Sequence, residues 1–196
     1  KKNVEWKVAV PGLGWSNPVV HSGRIYLTTA VSDGEIEKRK PGLYFGGDRK
    51  EPIKHMHQFL VLCLELKTGD FLWQKEVLAI RPLTPIHVKN SYAAETPVTD
   101  GDRVYAYFGS HGLYCLDKTG KVLWKKMFKP YKMRNGWGTA ASPVLDEGKL
   151  IIVNDNMEDS WAAAYDKVTG RELWKTKRDE PSNWSTPYVW HHDGIK

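Results

Sequence analysis

Apolar and polar positions along this chain alternate in short runs. "RIYLTT" (24–29), "FLVLCLEL" (59–66), "RVYAYFG" (103–109) and "KLIIVND" (149–155) are rich in β-branched and aromatic residues, and turn-forming Gly, Asp or Thr-Gly pairs punctuate them. No stretch sustains a helical period, so the pattern predicts an all-β chain. The runs fall into groups of four. The first run of a group follows a proline, and the last contains a tryptophan, as in "FLWQK", "VLWKK" and "ELWKT".

The grouping is a repeat. "CLELKTGDFLW" (63–73), "CLDKTGKVLW" (115–124) and "AYDKVTGRELW" (164–174) are versions of one phrase, and Trp6, Trp73, Trp124 and Trp174 mark its ends. The openings repeat as well: "SNPVVHSG" (16–23), "ETPVTDG" (95–101), "ASPVLDEG" (141–148) and "STPYVW" (185–190). Four-stranded units recurring roughly every 44 to 51 residues are the signature of β-propeller blades. Residues 1–10 read as the end of one blade, 11–76 as a blade carrying an insertion at 31–57, and 90–127 and 137–177 as two further blades. Residues 183–196 read as the start of another. The repeated phrase has a local rationale. Gly69, Gly120 and Gly170 permit a tight turn between third and fourth strands. Glu65, Asp117 and Asp166 are placed to accept turn N–H groups. Trp73, Trp124 and Trp174 offer a flat apolar surface and one donor to a neighbouring turn.

These phrases resemble the tryptophan-docking motif of the pyrroloquinoline-quinone (PQQ) repeat family, Ala-x-Asp-x-x-Thr-Gly-x-x-x-Trp. Residues 164–174 match it fully, 63–73 match with Cys and Glu substituted, and 115–124 are one residue short. "KNSYAAETPVTDGDRVYAYFGSHGLYCLD" and "NWSTP" are similar to the PQQ-like, BamB-like propeller proteins of environmental bacteria. The resemblance implies an eight-bladed propeller of which this chain holds about half, with open ends available for self-association. It also implies a periplasmic or otherwise extracytoplasmic location. Two functions follow from it. One is a non-enzymatic binding or scaffold propeller that presents its loop face to a protein, peptide or glycan. The other is a PQQ- and calcium-dependent dehydrogenase of alcohols or sugars. The family's enzymes carry adjacent cysteines against the quinone and a catalytic Asp, and neither can be matched here, so the non-enzymatic reading is preferred.

Composition changes the picture little. The balance of 41% hydrophobic and 27% charged residues is that of a globular protein. No apolar run is long enough to cross a membrane as a helix. The net charge of +6 comes mainly from scattered lysines, and its densest run, "KVLWKKMFKPYKMR" (121–134), fits either an anionic partner or a solvated outer strand. No nucleic-acid-binding motif accompanies it. Cys63 and Cys115 hold equivalent places in successive units and read as free thiols.

Candidate chemistry lies in the loops that enter each first strand. Three of them pair a tryptophan with a nearby asparagine, Trp15 with Asn17, Trp137 with Asn135, and Trp184 with Asn183. The fourth supplies Asn90, Ser91, Tyr92 and Glu95. Gathered at a common mouth, these groups would bind a planar or hydroxylated ligand. As packing residues they would bind none. His55-x-His57 lacks a third ligand for a metal, and "DNMED" (155–159) lacks the spacing of a calcium loop. His191-His192-Asp193 reads as solvent-facing.

Overall fold

The computed structural model describes residues 2–39, 41–43, 46–190 and 192. Three four-stranded antiparallel sheets follow one another along the chain, each running in sequence order. The first holds β1 (Val19–His21), β2 (Arg24–Ser32), β3 (His57–Glu65) and β4 (Phe71–Ile80). The second holds β5 (Val98–Thr99), β6 (Arg103–Tyr107), β7 (Leu113–Asp117) and β8 (Val122–Lys126). The third holds β9 (Val144–Asp146), β10 (Lys149–Asn154), β11 (Trp161–Asp166) and β12 (Glu172–Lys177). Each sheet is a meander whose first strand packs near the first strands of its neighbours, β5 lying against both β1 and β9. This is the blade arrangement of a propeller, and the chain forms part of one. His191 and residues 193–196 fall outside the described residues, as do Lys40, Tyr44 and Phe45 of the insertion.

The core sits between blades. Tyr26, Phe59 and Cys63 of the first sheet pack with Val104, Ala106 and Leu116 of the second. The opposite side of the second sheet, with Tyr105, Tyr107 and Cys115, meets Leu150, Ile152 and Tyr165 of the third. Both faces of the middle blade are therefore buried, which explains the continuous burial of 104–116.

The repeated phrase acts across that interface. Trp73 pairs with Cys63 across the ladder, Trp124 with Cys115 and Trp174 with Ala164, so a small residue always faces the indole. The ladder slips by one residue immediately after each pair, a bulge shared by all three blades. The indole N–H of Trp6 donates to the Leu66 carbonyl at 3.0 Å, that of Trp73 to Lys118 at 3.0 Å, and that of Trp124 to Lys167 at 3.2 Å. The rings cover the turn glycines of the following blade. A Cβ on Gly120 would lie 2.9 Å from Trp73, and one on Gly170 2.7 Å from Trp124. Among the described residues Trp174 covers no such turn, and it is 42% exposed.

A second set of links runs along the inner strands. The amide of Asn17 donates to Thr96 Oγ1 at 3.0 Å, that of Thr96 to Ser142 Oγ at 2.9 Å, and that of Ser142 to Thr186 Oγ1 at 3.0 Å. Every donor and acceptor is the residue immediately before the repeated proline. Residues 185–190 form no strand, yet Thr186 occupies its place in this series.

Candidate functional site

The insertion leaves the end of the β2–β3 hairpin, where Ser32 pairs with His57, and folds back over the loops of the second and third blades. Main-chain bonds fasten it. The Val88 amide donates to the Gly47 carbonyl at 3.0 Å, and the Ile53 amide donates to the Tyr92 hydroxyl at 3.4 Å. Arg39 donates to the carbonyls of Val88 and Asn90 at 3.3 and 2.9 Å. Farther along, the Trp137 indole donates to Asp48 Oδ1 at 2.6 Å. Gly136, at φ +66, lies so close to the Arg49 carbonyl that a Cβ would collide with it.

Under this cover the candidate residues separate into three groups. Trp137 and Trp184 come together, with ring centroids 5.6 Å apart, and His87 meets Trp137 edge-on. The Trp184 N–H donates to the Gly138 carbonyl at 2.7 Å, and Asn90 Nδ2 donates to the Trp137 carbonyl at 2.9 Å. Trp15 stands apart, half exposed, with its N–H on the Lys89 carbonyl at 2.8 Å and the Arg39 guanidinium 4.2 Å from its ring. Each indole thus secures one loop to a neighbouring loop. Asn183 caps its own turn by accepting from the Ser185 amide at 2.9 Å, and Asn135 adopts a left-handed backbone at φ 54.

Tyr92 and Glu95 lie in the interior rather than on the open surface. The Tyr92 hydroxyl donates to the Thr84 carbonyl at 2.9 Å, its ring meets His57 and His111 edge-on, and burial pushes its pKa up to about 12. Glu95 is 1% exposed. Burial pushes its carboxyl up to about 7, although Oε1 accepts the Thr139 hydroxyl. The main-chain carbonyl of Glu95 accepts Thr28 Oγ1 at 3.2 Å, so this residue touches all three blades. Beside it, Tyr107 and Tyr131 share a hydroxyl contact of 3.1 Å. Burial lowers His111 to about 4. Its ring is neutral, with Nε2 accepting the Leu83 amide at 3.0 Å.

The two metal candidates resolve into structural roles. His57 is buried against Tyr92, with Nδ1 on the His55 carbonyl at 3.0 Å, while His55 faces outward. In 155–159 the Asn156 side chain accepts the amides of Glu158 and Asp159 at 2.8 and 2.7 Å, and Asp155 pairs with Arg178 at 2.7 Å. Among the described residues no three His, Cys, Asp or Glu side chains converge.

A cleft of about 720 Å³ lies against the start of the insertion at 31–39, and another of about 610 Å³ lies between the insertion and the loops at 83–85 and 130–136. Asn135 is the one sequence-predicted ligand residue on the wall of the latter. Lys50, Leu83, Tyr131, Lys132 and Met133 line it too, and sequence reasoning missed them as a site. The signal available was the basic run 121–134, whose second half forms one wall.

The family profile described as outer membrane protein assembly factor BamB matches residues 57–187. Outer membrane protein assembly factor BamB of Burkholderia pseudomallei (strain K96243) is 25% identical over 205 residues, covering 94% of this chain and 50% of that protein. The chain therefore spans about half the length of the curated relative it matches. Among solved structures, the quinohemoprotein alcohol dehydrogenase ADHIIG of Pseudomonas putida HK5 aligns with a TM-score of 0.55 at 19% identity, covering 88% of this chain and 22% of that one. The quinohemoprotein alcohol dehydrogenase of Comamonas testosteroni aligns with a TM-score of 0.52 at 20% identity, covering 85% and 21%. These two likenesses establish a common propeller fold.

Proposed function

This chain belongs to the family of outer membrane protein assembly factor BamB, and we propose that it is a non-enzymatic, extracytoplasmic binding or scaffold module working through its loop face. The observation that carries this reading is the use made of the loop-face polar groups. The indole N–H groups of Trp15, Trp137 and Trp184 and the Asn90 amide all bond to the chain's own loops. The result is a preformed surface whose clefts include the one of about 610 Å³ beside the insertion, which suits docking. Glu95, His57 and His111, which burial pushes toward neutral forms, are bonded within the chain, and none of the three lines the cleft.

PQQ with calcium does not fit the residues of this chain. Cys63 and Cys115 are buried at equivalent positions in different blades, so they cannot form a pair against a quinone. Trp137 and Trp184 face each other instead of an open slot.

The test places a photo-crosslinking residue at Asn135 in the full-length protein, in cells, with Lys125 on β8 as the control position. The expected result is protein adducts at 135 that are absent at 125. Turnover of an alcohol or sugar with an artificial electron acceptor, after addition of PQQ and calcium, would overturn the reading in favour of a dehydrogenase.

A further inference from the structure

The cleft at the edge of the insertion has a definite chemistry. Its apolar wall is built from Pro52, Leu83, Pro85, Pro130 and Met133, none of which offers a side-chain hydrogen-bond donor. Its charged groups divide unequally. Asp48 is engaged by the Trp137 indole at 2.6 Å, and Glu158 accepts the Lys132 amide at 3.2 Å. Arg49 is paired with Glu37 at 2.9 Å. Among the described residues the exposed Lys50 and Lys132 have no such commitment, and Lys129 and Arg134 flank the wall in sequence. Hydrogen bonding leaves each acid its charge, so the lining carries three cations, Arg49, Lys50 and Lys132, against the two acids Asp48 and Glu158, and the flanking Lys129 and Arg134 add to the positive excess.

From this charge balance, and resting on the loop-face reading above, we infer that the cleft takes an extended peptide segment that alternates acidic and apolar residues. An extended strand sends successive side chains to opposite sides. One side of such a segment would lie on the proline, leucine and methionine wall, and the other would meet Lys50 and Lys132. The cleft volume of about 610 Å³ falls within the range of ligand clefts and accommodates several residues. The clamps at Gly47, Asp48 and Gly136 hold the insertion wall in place before binding, so little ordering is required on docking.

The aromatic groups argue against other anions. A single-stranded nucleic acid needs open aromatic faces for its bases to stack on. Here the Tyr131 hydroxyl is bound to Tyr107 and the residue is 8% exposed, while Trp137 is packed by Trp184 and met edge-on by His87. An acidic glycan would find the ammonium groups and a few polar partners such as Thr84 and Asn135, but would leave the wall of Pro52, Leu83, Pro85, Pro130 and Met133 without apolar cover.

The experiment is fluorescence anisotropy with full-length protein and three labelled peptides, alternating Glu/Leu, Glu/Ser and Lys/Leu. The Glu/Leu peptide should bind at least about tenfold tighter than either of the others, and its affinity should fall as salt is raised. The double variant Lys50→Glu/Lys132→Glu should lose about tenfold or more in affinity, and Leu83→Ser should weaken binding without altering the salt dependence. Lys125→Glu, on the outer strand, should bind like the parent, which separates a cleft effect from net charge. Equal binding of Glu/Ser peptide, displacement by an acidic polysaccharide, or indifference to the double variant would overturn the inference. If the Glu/Leu peptide fails while the crosslinker at 135 still yields protein adducts, this inference falls and the loop-face reading stands. If both fail, both fall.

Discussion

Glu95 shows how one side chain can make a loop-face interior sensitive to proton concentration. Its carboxyl is held near 7 by burial, against an ordinary value of 4.5, so between those values the folded chain binds a proton that the unfolded chain has released. Stability contributed by Glu95 therefore declines as pH rises through that window and is constant above it. Glu95→Gln should track the parent near pH 4 and exceed it by up to about 3 kcal/mol at pH 8, as read by urea denaturation at both values. The tryptophans differ among themselves at the same scale. Trp124 is partly buried and covers Gly170, whereas Trp174 is 42% exposed. Trp124→Ala should cost roughly 3 kcal/mol or more, and Trp174→Ala in this chain much less. Equal losses would show that the indoles act within their own blades instead of across the interface.

At the scale of the strand and loop, the inner-strand links explain the residue before each proline. Thr96→Val keeps the shape of the side chain and removes the oxygen that accepts the Asn17 amide, so it should cost about 1 kcal/mol by thermal denaturation. Gly136→Ala should lift the insertion from the loop below it, and the measurable outcome is faster proteolysis within 33–56 with the sheets intact. These elements also show what the sequence made legible. The blades were readable because their signals are local, a turn glycine, an acid two or three residues before the threonine and a tryptophan four residues after the glycine. Cys63, Cys115 and Ala164 differ in chemistry but share the one property their place needs, small size opposite an indole. The site was less legible because the insertion folds back through tertiary contacts that leave no periodic trace. Asn90 and Trp137 had the composition of ligand groups, and the structure gives their polar atoms to the chain itself. Ser and Thr before the prolines were visible as a repeat, yet nothing local indicated that the acceptor for each amide lies one blade away.

For the molecule as a whole, the core lies between blades, so a blade without a neighbour exposes what would otherwise be buried. Trp174 on β12 is the visible case, since Trp73 and Trp124 at the same place are partly buried. The isolated 196-residue chain should associate in a concentration-dependent way by light scattering, and Trp174→Ser should reduce that association. A parent chain that stays monomeric at high concentration would remove the role given to this surface. The series from Asn17 through Thr96 and Ser142 to Thr186 has a further implication. Because these joints sit where the chain enters each blade, the angular step from one blade to the next is set at the hub. Length added between joints leaves that step unchanged. The first blade carries a long excursion and still meets the second through the same joint as its shorter neighbours. Such a disc can acquire, lose or exchange rim and loop segments over evolutionary time while its curvature is preserved, and new surfaces can be tried on it without rebuilding the wheel.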